Sequence, residues 1–294
     1  MYTMTEKSVR QIEMPGFADS MKYLSEHPDK DAEITLHWNT MQEVSHWNDV
    51  ERKYRREVPK KYWDISTEPT ALSEHLPSTL IAPEIKAYMR MLQQYLGAIE
   101  GRVKRGMHTN IVLLGESGIG KSYLMAWTMK SLMNTIKYYE NPLNESPTPK
   151  DFPHYWNVEY TTGQTLGRRY KACDSYRSTE SKRDVCNVYA YCDLFMLDEG
   201  GRVPTTYEKE ALFDIMDERE KSCIISANFK SLDEMQDYYG DACMDRIRQN
   251  MVVPNTEGCA SMRGSTELSQ DRDLTEMQDF GDGVSEQYTD DVPF

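Results

Sequence analysis

Residues 115–122 read GESGIGKS, and no other feature restricts the fold of this chain as tightly. The pattern is G-x-x-x-x-G-K-[ST]. It binds phosphate when the loop leaves a strand and enters a helix, so that backbone N–H groups and the helix N-terminus converge on one anion. The flanks meet that condition. Ile111–Leu114 is a short apolar run bounded by polar residues, which predicts a buried strand, and a helix is expected from Lys121 to Tyr138. In this reading Gly115, Glu116, Ser117, Gly118, Ile119 and Gly120 wrap the phosphates of ATP. Lys121 reaches the β- and γ-phosphates, and Ser122 ligates Mg2+.

Two further apolar runs end in polar groups suited to the same site. Leu194-Phe195-Met196-Leu197 leads into Asp198 and Glu199, placing two carboxylates where a strand of a parallel sheet meets its ligand edge. Asp198 is expected to hold the metal, directly or through water, and Glu199 to polarise the attacking water. Ser222–Ser226 is a third strand, closely followed by Asn228. That amide can orient the water, or it can cap the next helix.

With 39% apolar residues in 294, the chain can bury a core. Ile81–Val103 carries a helical apolar face, and strands at Trp156–Tyr160, Leu194–Leu197 and Ser222–Ser226 are separated by helix-length segments. That order predicts an α/β fold with a parallel sheet and helical crossovers. Three regions follow from composition: a polar, aromatic-dotted segment 1–75 with helical spacing around Ile34–Val50, a globular core 76–264, and a disordered acidic tail 265–294. The tail holds nine acidic residues and one arginine, so it supplies −8 of the net charge of −14. Nucleic-acid contact therefore needs a local basic patch. No apolar run is long enough to span a membrane, and residues 1–16 lack the apolar run of a secretory signal; a cytoplasmic protein is expected. The six cysteines, all in the second half, form no CxxC pair and are expected to be reduced, partly buried thiols.

Several stretches together resemble one ATPase family. Tyr54-Arg-Arg-Glu-Val-Pro-Lys-Lys-Tyr62 precedes the core, and Tyr207-Glu208-Lys209-Glu210 follows the acidic pair. Next come Gly240-Asp-Ala-Cys-Met-Asp-Arg-Ile-Arg248 and Ser261-Met262-Arg263. In order and spacing they are similar to the DnaC-like helicase loaders and their IstB-like transposition relatives, which are AAA+ P-loop NTPases. The resemblance implies an ATPase that oligomerises with ATP and acts with a replicative ring helicase on single-stranded DNA. It makes Arg246 the arginine finger for a neighbouring copy's ATP, with Arg248 in reserve, and gives Arg263 a role at the phosphates or a structural one. A surface salt bridge is the alternative for Arg246 and Arg248. The resemblance also points to a helical insertion over Gly163–Arg183 that touches single-stranded DNA. This stretch supplies Arg168, Arg169, Lys171 and Arg177, with Tyr170 and Tyr176 between them, and also Lys182 and Arg183. Cations for phosphates and tyrosines for stacking suit sequence-tolerant binding; a solvated basic helix is the alternative. Residues 1–75 lack the cysteine cluster of those loaders that carry an N-terminal zinc module, so docking on a helicase falls to helices and aromatics.

The final residues, Asp290, Asp291, Val292, Pro293 and Phe294, resemble the acidic tip of bacterial single-stranded-DNA-binding proteins. Phe294 suits an apolar pocket and the two aspartates a basic rim; a solubilising tail is the alternative. These features favour a helicase loader of a phage or mobile element in the bacterial cytosol or an infected host cell. An IstB-like transposition helper and a replisome adaptor with a slow ATP switch are the competing readings.

Overall fold

The computed structural model describes residues 46, 48–68, 72, 76–77, 80–140 and 152–262. The spacing read at Ile34–Val50 falls almost wholly outside these residues, as do Arg263 and the whole acidic tail with Asp290, Asp291, Val292, Pro293 and Phe294. The chain divides into two compact units. One comprises the described residues up to Trp63 together with Lys130–Trp156; the other comprises Asp64–Met129 and the described residues from Asn157 onward.

The larger unit opens with α1 (Ala82–Gly101), whose Pro83 in the first turn suits a position without an intrahelical N–H partner. Then follow β1 (Asn110–Leu113) and α2 (Lys121–Met133), of which the part up to Met129 belongs to this unit. In the smaller unit, 48–57 is helical, and Val50, Tyr54 and Val58, spaced four apart, are buried. The Tyr54 hydroxyl donates to Tyr62 O at 2.8 Å, and Trp63 Nε1 donates to Val58 O at 2.9 Å. This unit also contains β2 (Ile136–Glu140) paired antiparallel with β3 (Phe152–Tyr155). That hairpin corrects the expected helix to Tyr138. The helix ends at Met133, and Ile136, Tyr138 and Tyr139 are β-branched or aromatic residues that favour a pleated surface.

The larger unit continues with β4 (Val158–Thr162), α3 (Gly163–Ala172), α4 (Lys182–Tyr191) and β5 (Leu194–Gly200). After these come α5 (Thr206–Glu218), β6 (Cys223–Ala227), α6 (Leu232–Tyr239) and α7 (Asp241–Ile247). The sheet order is β1-β6-β5-β4, with every pairing parallel. Beyond β1 a parallel bridge joins Ile111 to Val252. The fold is thus the expected α/β type. β1 and β6 are buried along their length and β5 nearly so, as a parallel sheet covered on both faces requires. Val112, Phe195, Leu197, Cys223 and Ile225 share one core with apolar residues of α3 to α7; by strand alternation Ile111, Leu113, Met196 and Ile224 lie on the opposite face. All six cysteines are free, and Cys186, Cys192, Cys223 and Cys243 are buried. Among the described residues no helix is long and apolar enough to cross a membrane.

Candidate nucleotide site

Because β1, β5 and β6 are parallel, the three polar groups singled out in the sequence reach the same edge of the sheet, the carboxyl end where α/β folds bind ligands. The loop leaving β1 turns sharply at Gly115 (φ +121°) and Gly120 (φ +90°), backbone that a side chain would strain. A Cβ on Gly115 would also lie 3.0 Å from Ile119 Cδ1 and from Thr256 Oγ1. The Gly115 N–H donates to Phe229 O at 3.1 Å, and the Met262 N–H donates to Gly118 O at 2.9 Å. The segment just before Arg263 therefore runs against the phosphate loop. Glu116 and Ser117 are exposed at the loop's tip, while Ile119 is buried beneath it.

Lys121 opens α2 and is only 6% exposed. Its ammonium donates to Gly115 O (2.7 Å), Glu116 O (2.8 Å) and Asn228 Oδ1 (2.9 Å). The structure thus brings Asn228, from the segment after β6, to the phosphate-loop lysine. Ser122 Oγ donates to Asp198 Oδ1 at 3.1 Å. Asp198 is 2% exposed, and its carboxylate also accepts from the Tyr160 hydroxyl (2.6 Å), the Ser226 hydroxyl and the Glu199 N–H (2.9 Å). A hydroxyl and a fixed carboxylate oxygen side by side are the hard donors that Mg2+ takes alongside phosphate oxygens and water. The donor set at Ser122 and Asp198 therefore fits that ion.

Glu199 sits in a left-handed turn (φ +52°), which is uncommon for a residue with a side chain. Its N–H is held by Asp198 Oδ1 and Ser226 Oγ, and its Oε1 accepts from Arg202 at 2.6 Å. Gly201 (φ +71°) completes the turn, and a Cβ there would meet the Phe229 ring at 2.3 Å. Phe229 thus meets both halves of the site, its carbonyl at the Gly115 N–H and its ring at Gly201.

Arg246 lies elsewhere. It is on α7, where its guanidinium donates to Asp217 Oδ1 from Nη2 (2.8 Å) and Nε (3.1 Å). The Asn110 amide reaches the carbonyls of Arg246 (3.2 Å), Ile247 (3.0 Å) and Gln249 (3.1 Å), capping the end of that helix. Asn110 begins β1 and Gly115 follows its end, a separation of roughly 16 Å at strand rise. Arg246 is therefore at the sheet edge opposite Lys121. Arg248 donates to Gln236 Oε1.

The basic stretch separates into two groups. Arg169 is clamped to Glu180 and lies over the Tyr189 ring. Tyr170 is buried and donates to Asp214 at 2.5 Å; its hydroxyl is pushed above its ordinary value by burial and by Asp214. Lys182 lies over Tyr170 and pairs with Asp174 at 3.1 Å. Arg168, Lys171, Tyr176, Arg177 and Arg183 are exposed along α3, the turn and the start of α4, with Lys171 5.8 Å from the Tyr207 ring centre.

The sequence reading missed Tyr160 and Ser226, which anchor Asp198, and Arg202, which holds Glu199. Ser226 lies on β6 two residues before Asn228, so alternation carried past the strand's end could have found it; Tyr160 and Arg202 had no such signal. No protein-family model matches the chain, and no curated protein matches it either. Among solved structures it is similar to that of the DnaC helicase loader, with 13% identity over 67% of this chain and 98% of that one and a TM-score of 0.44. It is likewise similar to DnaI, with 14% identity over 70% of this chain and 94% of that one and a TM-score of 0.44.

Proposed function

We propose that the chain hydrolyses ATP and uses the cycle to load a replicative ring helicase onto single-stranded DNA. The observation that carries the ATPase reading is the convergence of Lys121, Ser122, Asp198, Glu199 and Asn228 at one sheet edge. The loader reading rests on the ordered resemblance of the segments Tyr54–Tyr62, Tyr207–Glu210, Gly240–Arg248 and Ser261–Arg263 to the DnaC-like family.

The chain's groups divide the chemistry among them. Backbone N–H groups of 115–121 and the start of α2 bind the phosphates. Lys121 exchanges the carbonyls of Gly115 and Glu116 for β- and γ-phosphate oxygens, while Asn228 keeps its amide close to the γ-phosphate. Ser122 and Asp198 hold Mg2+, which neutralises charge on the β- and γ-oxygens when bound. Glu199 accepts a proton from the attacking water as its oxygen bonds to the γ-phosphorus and the bond to the β,γ-bridging oxygen breaks, giving ADP and phosphate. Arg246, at the far edge of its own sheet, serves the site of an adjoining copy. The exposed Arg168, Lys171, Arg177 and Arg183 beside Tyr176 form the single-strand contact.

Mixing variants tests this reading. Arg246→Ala and Lys121→Ala should each be inactive alone, and their mixture should recover turnover, because one supplies an intact loop and the other an intact finger. Single-stranded DNA should stimulate the wild type. Unchanged turnover in Arg246→Ala would remove the shared site, and with it the assembly on which loading depends.

A further inference from the structure

The turn carrying Glu199 is supported from beneath by a second carboxylate. Glu208 is the third residue of α5, and Thr205-x-x-Glu208 has the spacing of a capping box. Only half of that box forms. The Thr205 hydroxyl accepts from the Glu208 N–H at 3.2 Å, but the Thr205 N–H donates to the Tyr238 hydroxyl at 3.3 Å. The Glu208 side chain turns inward and is 0% exposed.

There its Oε1 accepts from the Gly201 N–H at 2.8 Å and from the Tyr239 hydroxyl at 2.6 Å. Both donors touch the Glu199 turn: Gly201 is part of it, and a Cβ on Gly200 would lie 2.7 Å from the Tyr239 hydroxyl. The same carboxylate meets the first residue of α3, since a Cβ on Gly163 would lie 2.6 Å from Glu208 Oε1. Glu208 Oε2 has no hydrogen-bond partner among the described residues. Burial pushes this carboxyl above its ordinary range, against the pull of Tyr239 and Gly201. A helix surface would have solvated it at no such cost.

We propose that Glu208 is a positioning residue for ATP hydrolysis, fixing the left-handed turn of Glu199 and tying it to the first turn of α3. The inference rests on the ATPase reading and adds to it a link between the nucleotide site and the helix that bears the exposed basic residues. Gly163 leaves the carboxylate room, so movement of α3 bears directly on the group that holds Gly201. A base displaced by about 1 Å loses on the order of 10²-fold in rate.

The test uses the full chain, with ATP turnover and fluorescent-nucleotide binding measured in parallel. Glu208→Ala should lower kcat by about 10-fold or more while nucleotide affinity stays within about twofold. Glu208→Gln should retain most of the turnover, since its amide oxygen can accept both hydrogen bonds. Gly163→Ala, made on the other helix, should reproduce the kcat loss by pushing the carboxylate off Gly201. The double variant Glu208→Ala/Gly163→Ala should then be no worse than Glu208→Ala alone. Should Glu208→Ala not fold, the Gln and Gly163 variants still decide. Turnover within about twofold of wild type in Glu208→Ala, or in Gly163→Ala when Glu208→Ala does not fold, overturns the positioning role. So does a Gln variant as impaired as Ala. A wild type that binds ATP and never hydrolyses it overturns the reading of the site itself.

Discussion

At the carboxyl edge of the sheet, Lys121 and Asp198 are nearly inaccessible, and each is held by at least three polar groups. In the stretch 163–183 the charged groups divide: Arg169 and Lys182 are half-buried and paired with Glu180 and Asp174, while Arg168, Arg177 and Arg183 are exposed. The difference teaches how a cluster of charges should be read. A buried charge is retained only where neighbours compensate its desolvation, so the convergence of Lys121 and Asp198 at one sheet edge marks a built arrangement. On a surface, cations accumulate at little cost, and only geometry separates those that brace the fold from those left for a ligand.

Three variants sharpen that contrast, from the largest effect to the smallest. Lys121→Ala should weaken ATP binding by about 10²-fold, since charged hydrogen bonds are each worth about 1.5–3 kcal/mol; a fluorescent-nucleotide titration measures it. The triple variant Arg168→Ala/Arg177→Ala/Arg183→Ala should leave ATP binding intact. It should reduce the slope of log affinity against log salt for single-stranded DNA by about 2, at roughly 0.7 per lost cation. Arg169→Ala should do the reverse, barely altering that slope while lowering stability to denaturant by about 1 kcal/mol through loss of Glu180 and Tyr189. If Arg169→Ala changes DNA binding as much as the exposed cations do, the division drawn here fails.

A pH experiment probes Glu208, a buried carboxyl beside the Glu199 turn. Glu208 has its folded-state pKa raised, chiefly by burial. Between its unfolded and folded pKa the native state holds one more proton, so stability falls as pH rises through that window and is level above it. The stability difference between wild type and Glu208→Gln should show this fall from about pH 4.5 upward. A flat difference would mean that the carboxyl titrates alike in the folded and unfolded chains.

What the sequence made legible follows from how local each signal is. The glycine-rich loop 115–122, the acidic pair near the end of β5 and the strand before Asn228 are short contiguous patterns, and a parallel sheet carries all three to one edge. The β2–β3 hairpin was hidden because Ile136–Tyr139 continues the apolar content of α2, and its partner strand begins only at Phe152. Tyr160 was hidden because its hydroxyl acts through tertiary contact, and Arg202 because its pairing with Glu199 depends on the left-handed turn between them. Tyr170 looked like a stacking residue because it stands among cations, yet its face of α3 is buried against the core. Glu208 was masked by a spacing that reads as an ordinary helix cap.

The central claim is that the phosphate edge is a working ATPase site in which Glu199 activates water. The most direct measurement is single-turnover hydrolysis by wild type and Glu199→Gln, with Mg2+-ATP affinity determined for both. Equal affinity and a rate about 10²- to 10⁴-fold lower in the variant are expected. Equal rates, or a wild type that fails to bind Mg2+-ATP, would contradict it.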